Sequence, residues 1–255
     1  MKTLTGLTAT AILLLTTSIH AATSTQTVDL DGVDDLYFAG DVEVVLTQGN
    51  NNEAVVEFDE KDKDKVDISV SGSKFVIKRN SGFWDFWRHS DSVKVTVVAE
   101  LENLASMEIS GATKVRAGDI NAEELRVKAS GASEFNIGSI EAEELHIGLS
   151  GASNVALGDV AIERMSAHLS GASRIEANGT GTAQSLRIEA SGASHFVAKD
   201  VVASDVSVHA SGASNMTLNA SDHLKVNLSG ASNLRYGGAP STDIHTSGAS
   251  NISTF

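Results

Sequence analysis

The chain has no cysteine and one proline in 255 residues. The missing cysteine excludes a disulfide framework and any thiolate metal site. Aromatic residues make up only 5% of the chain. Basic residues are outnumbered, with 19 Lys and Arg against 33 Asp and Glu, for a formal net charge of -14. Such a surface repels nucleic acid and anionic lipid headgroups, so no nucleic-acid partner is expected. The nucleophile elbow Gly-x-Ser-x-Gly, the zinc motif His-Glu-x-x-His and the calcium repeat Gly-Gly-x-Gly-x-Asp are all missing. Beyond the first residues no apolar run is long enough to cross a bilayer as a helix.

Residues 1–21 read as a secretory signal peptide. Lys2 supplies the positive start, Ala11-Ile12-Leu13-Leu14-Leu15 the apolar centre, and Ile19-His20-Ala21 an acceptable cleavage site. No cysteine follows for lipidation. The mature chain is therefore expected to be exported and not membrane-spanning.

What the sequence has in quantity is one tetrapeptide. It stands at Ser110-Gly111-Ala112-Thr113 and recurs as Ser-Gly-Ala-Ser from Ser130, Ser150, Ser170, Ser191, Ser211, Ser229 and Ser247. Successive starts are 20, 20, 20, 21, 20, 18 and 18 residues apart. A fixed period near 20 residues is the signature of a solenoid. Three columns are apolar with few exceptions: the residue before the first serine, such as Leu149 and Leu169, and those three and five before it. The column two before the serine is Glu108, Lys128, Gly148, His168, Glu189, His209, Asn227 and His245. Alternation with period two marks half-buried strands. It resumes after the corner with Val115, Phe135, Val155, Ile175, Phe196, Met216, Leu234 and Ile252.

One such unit cannot hide its own apolar face, whereas stacked units bury it. The pattern predicts an all-β chain, a parallel β-helix of about 20-residue coils with three short sides. At about 4.8 Å per strand, eight coils make a stack of roughly 34 Å. The corner glycines Gly111, Gly131, Gly151, Gly171, Gly192, Gly212, Gly230 and Gly248 are expected to take a backbone conformation that a side chain would hinder. The corner alanine is expected in a tight inward position between coils, and the flanking hydroxyls are expected to bond nearby backbone.

Residues 22–100 form a less regular β section continuous with the repeats of 101–255. Strands are expected at Asp41 to Thr47, Ala54 to Phe58 and Val93 to Val98, with a hairpin at Ser71-Gly72-Ser73. The charged run Asp59 to Lys65 reads as a solvated turn, since the glycine and terminal glutamate of a calcium loop are missing. Between the strands, Phe83, Trp84, Phe86 and Trp87 form an aromatic cluster. It suits either a contact platform for a partner or a cap over the open end of the stack.

The segment Gly40-Asp41-Val42-Glu43-Val44 with Thr47-Gln48-Gly49, the recurrent Ser-Gly-Ala-Ser corners, and the ending Tyr236-Gly237-Gly238-Ala239-Pro240 carry a resemblance. With these features the chain resembles the autotransporter adhesin head domain family, also called the GIN domain, of bacterial envelope proteins. The similarity covers about residues 30–253. The family commonly has Ser-Gly-Ser-Gly at the corner, where this chain has alanine third and serine or threonine fourth. The resemblance implies a β-helical fold and an exported location, periplasmic or at the cell surface, and brings no catalytic residues with it.

Polysaccharide enzymes also use β-helices and need clustered carboxylates. Here Asp119, Asp159 and Asp200 recur near one corner about two coils apart, roughly 10 Å, too far to share one metal ion. His168, His209 and His245 share a column but are separated by Glu189 and Asn227. The expectation is a non-enzymatic interaction or adhesion module with no cofactor or metal. Its partner would be an envelope or surface protein or glycan, and the alternative is a polysaccharide-binding or polysaccharide-active protein.

Overall fold

A computed structural model describes residues 23–79 and 93–255. Residues 1–21, expected to be a signal peptide, and the aromatic cluster Phe83 to Trp87 lie outside the described residues. Strands make up 72% of the described residues, stacked as parallel coils in a β-solenoid of about seven turns.

The sequence period is the coil. Strand β10 (Glu134–Leu149) lies parallel to β11 (Asn154–Leu169), with Phe135 opposite Val155 and Leu145 opposite Met165. Equivalent residues therefore sit one above another, 20 positions apart. Next come β12 (Arg174–Ala177) and β13 (Gly181–Ala190), then β14 (His195–Ala210), β15 (Asn215–Leu228), β16 (Asn233–Gly237), β17 (Ser241–Thr246) and β18 (Asn251–Thr254). Below β10 lie β7 (Ser106–Gly111), β8 (Lys114–Ala117) and β9 (Ile120–Ala129). The repeat shortens to 18 residues late in the chain. That loss is taken up where β14 meets β15, in register jumps between Ala198 and Val202 and between Ala203 and Asp205. The tetrapeptide corner does not change.

Alternation along each strand puts one column of side chains inside. Phe135, Leu145, Ile147, Ile175, Ile188, Phe196, Val208 and Val226 are buried in one continuous core. Burying a Val, Leu, Ile or Phe side chain contributes about 1.5–3 kcal/mol, so this column is the main favourable term.

The chain does not stack in simple order at its N-terminal end. Strand β2 (Asp35–Gln48) is parallel to β5 (Lys74–Arg79) and β6 (Lys94–Leu101) on one side, and to β7 and β8 on the other. Phe38 and Phe75 meet edge to face there, 5.9 Å apart. Beyond β5 and β6 the direction reverses. Strand β3 (Glu53–Asp59) is antiparallel to β6, β1 (Thr23–Asp29) to β3, and β4 (Val66–Ser71) to β5. Antiparallel strands therefore end the parallel stack at this side. The charged run forms a 3₁₀ turn, Glu60–Lys65. It is not wholly solvated as its sequence suggests: Asp62 is 3% exposed, and its carboxylate lies 2.7 Å from Lys65 Nζ.

At the eight tetrapeptides φ of the glycine lies between +72° and +81°. A Cβ on any of them would fall 2.5–2.8 Å from the carbonyl oxygen of the glycine one coil back. That carbonyl accepts the amide of the following alanine at 2.7–2.8 Å. The fourth residue is buried in all but the last copy, and its hydroxyl donates to the carbonyl of the first serine at 2.6–3.0 Å. The alanine, expected inside, is exposed in every copy. Three residues in a row face out because the glycine leaves the alternation, which otherwise runs through the corner and puts the hydroxyl residue inside.

Gly171→Ala is expected to cost about 3 kcal/mol or more, because it adds a backbone clash to the left-handed penalty. Gly72→Ala is a control, with φ of +60° and open space around it. It should cost only about 1–2 kcal/mol. Urea unfolding followed by circular dichroism measures both, and equal losses would remove the packing argument.

Candidate functional site

The column two before each corner and the first serine of the corner both point outward. The residue between them points into the core and leaves its backbone as a floor. Stacking turns this three-residue pattern into a trough along the coil axis. It encloses about 740 Å³ between the wall of Glu108, Lys128, His168, Glu189 and His209 and the low wall of Ser130, Ser150, Ser170 and Ser191. A second length of about 420 Å³ shares Ala190 and His209 with the first and continues to His245 and Ser247. The serines keep one wall low, and Gly148 opens a gap in the other.

A small-molecule pocket buries most of its ligand. This trough is open along its length and repeats its polar groups at the coil spacing of about 4.8 Å. Its shape fits an extended chain better than a compact metabolite.

Within the wall the Glu189 carboxylate is the one held in ion pairs. Arg187 Nη2 lies 2.5 Å from Glu189 Oε1, and His168 Nε2 lies 3.1 Å from Glu189 Oε2. The Arg187 guanidinium holds the Glu189 carboxyl below its usual range, with the charges of His168 and His209 adding to the pull. Asn227 Nδ2 and His209 Nε2 are 3.2 Å apart. A parallel arrangement lies further back on the coil, where Arg164 Nη2 is 2.8 Å from Glu144 Oε1. Arg164 and then His146 draw that carboxyl below its usual range as well.

The structure therefore gives the column of His168, His209 and His245 mostly neighbours other than histidine. His168 pairs with Glu189 and His245 with Asp243. Asp159 accepts from the Thr180 amide at 2.8 Å, which closes the corner beside it. Among the described residues no group of three or more His, Asp or Glu is placed to hold a metal ion. Ser71 to Lys74 has the Ser-x-x-Lys spacing of some acyl-transfer enzymes, but Ser71 and Lys74 pair across the turn of the β4–β5 hairpin, where Ser71 is exposed. The aromatic candidates Phe83, Trp84, Phe86 and Trp87 lie outside the described residues. No helix among the described residues is long and apolar enough to cross a membrane.

The trough is the feature that sequence reading missed. Its signal was present, as two outward columns flanking an inward one with serine invariant in one of them. The corner alone accounts for that serine, so its recurrence does not by itself point to a second role.

The family model described as "Putative auto-transporter adhesin, head GIN domain" matches residues 34–240. The chain belongs to this family. No curated protein matches the sequence significantly. Several solved structures share the fold of this chain. One is a protein titled a putative adhesin from Parabacteroides merdae, with a TM-score of 0.84 at 18% identity, covering 91% of this chain and 96% of that one. Another is titled a putative lipid binding protein from Parabacteroides distasonis, with a TM-score of 0.83 at 17% identity over 91% and 96% of the two chains. A putative adhesin from the same species has a TM-score of 0.80 at 17% identity, over 92% and 98%. At these identities the similarity is one of fold.

Arg187→Gln should raise the Glu189 pKa toward 4.5, read by NMR titration of the side-chain carboxyl. The native carboxyl is depressed in the folded state. Its contribution to stability is therefore present above about pH 4.5 and lost as pH falls through the folded pKa. The stability gap between native protein and variant should close in acid. An unmoved Glu189 titration would show that the ion pair is not formed in solution.

Proposed function

We propose that this head GIN domain is an exported, non-enzymatic interaction module of the bacterial envelope or cell surface. It holds an extended polar partner, a glycan chain or an unfolded peptide segment, along the trough. The observation carrying this reading is the trough itself, a row of serine hydroxyls repeated once per coil beside a wall of mostly polar side chains. Many weak, equally spaced contacts on a rigid support add up through multivalency. The family assignment supports an adhesive role, and the sequence of residues 1–21 supports export.

The non-enzymatic part rests on the pairing of the carboxylates. Glu144 and Glu189 are engaged by arginine and histidine on an open face, and neither converges with a second free carboxylate on a cleft. One similar fold is titled a putative lipid binding protein. Here the polar trough and the net charge of -14 favour a neutral, hydroxyl-rich chain over an anionic lipid surface.

The test is binding to purified envelope polysaccharides and a glycan array, with Gly148→Arg and Ser170→Arg to fill the trough. Binding should fall at least about tenfold, with the circular dichroism spectrum unchanged. Loss in Trp84→Ala with Trp87→Ala, and none in the trough variants, would move the contact to the aromatic cluster. Turnover of any glycan would overturn the non-enzymatic reading.

A further inference from the structure

The two ends of the stack differ. At the N-terminal end, antiparallel strands and a charged 3₁₀ turn close the parallel ladder. At the other end β17 pairs with β15 and has no second partner strand among the described residues. Its inward column of Thr242, Ile244 and Thr246 is exposed, although the same column one coil below, Leu224, Val226 and Leu228, is buried. Ile244 is 39% exposed. Proteins usually protect such an edge with lysine, proline or a bulge. This strand has neither lysine nor proline.

The order of its residues is self-complementary. Thr242-Asp243-Ile244-His245-Thr246 reads the same in both directions except that Asp and His exchange places. In an antiparallel pairing about a two-fold axis at Ile244, the two isoleucines face each other. Thr242 faces Thr246 of the partner subunit, and Asp243 faces His245 of the partner subunit. The inward residues of both copies then meet on the core side, and the acidic and basic groups meet on the outer side.

We propose that β17 is a self-association edge, and that two copies join end to end through antiparallel β17 strands centred on Ile244. The contact is isologous and therefore closes at a dimer.

Light scattering on the full chain across a concentration series should give twice the chain mass. The chain has no cysteine, so a single introduced thiol reports one contact. Directly opposed antiparallel residues have Cα atoms about 4.5–5.5 Å apart, within disulfide range. Ile244→Cys should therefore crosslink under mild oxidation. Val70→Cys, 41% exposed at the other end, should not. His245→Asp sets like charges opposite each other and should weaken the dimer at least about tenfold. Combining it with Asp243→His restores complementarity and should restore the dimer. A monomer up to the solubility limit, an open-ended assembly, equal crosslinking through Val70→Cys, or failure of the double substitution to recover the dimer would each overturn the proposal.

Discussion

Each corner glycine presents its carbonyl to the alanine amide of the next coil at 2.7–2.8 Å, and the coils can approach this closely only because nothing projects from the glycine. A side chain there would meet that carbonyl before the amide could. The same corner turns the chain by means of a left-handed backbone, and the buried hydroxyl three residues after the first serine satisfies a carbonyl that the turn leaves over. Pitch, bend and polar satisfaction are thus set in four residues. A hydrogen bond of this kind contributes about 1 kcal/mol net, but an unmade one inside the core costs more. The repetition of the corner with little change follows from that asymmetry.

With register set at the corners, the faces between them are free to vary. Inward positions need only be apolar and of fitting volume, and they alternate among Phe135, Val155, Ile175, Phe196 and Met216 in one column. Outward positions need less still, which is why one column can hold Lys128, Gly148, His168 and Glu189 in successive coils. The side chains along the trough can therefore change without disturbing the stack.

The strands and the coil period were legible because alternation and repetition are one-dimensional signals. The fate of the corner alanine was not. Its recurrence in every copy pointed to a tight inward site, whereas alternation from Leu169 to Ile175 puts Ser173 inside and Ala172 outside, and only Gly171 departs from it by facing out. The burial of Asp62 was hidden for a related reason: a run of mixed charge looks solvated until one turn folds a carboxylate back beside Lys65. The trough needed both the parity of each residue and the stacking of coils, and only the first is written along the chain. The late 18-residue spacing was visible, yet its place of absorption, between Ala198 and Asp205, depends on which corner yields.

The interleaving of β2 has a consequence for how the chain can be made. Both edges of this strand are occupied by segments that follow it, β5 and β6 on one side and β7 and β8 on the other. Chain synthesis delivers Asp35 to Gln48 well before Lys94 to Ala117 exists. For that interval only its first part, Asp35 to Ala39, can find its neighbour, in β5. Of these partners, β5 and β6 come first in the chain and close one side of β2, and β7 and β8 then close the other. Until then its aliphatic residues, Val42, Val44 and Leu46, are the part of the molecule most open to pairing with another chain.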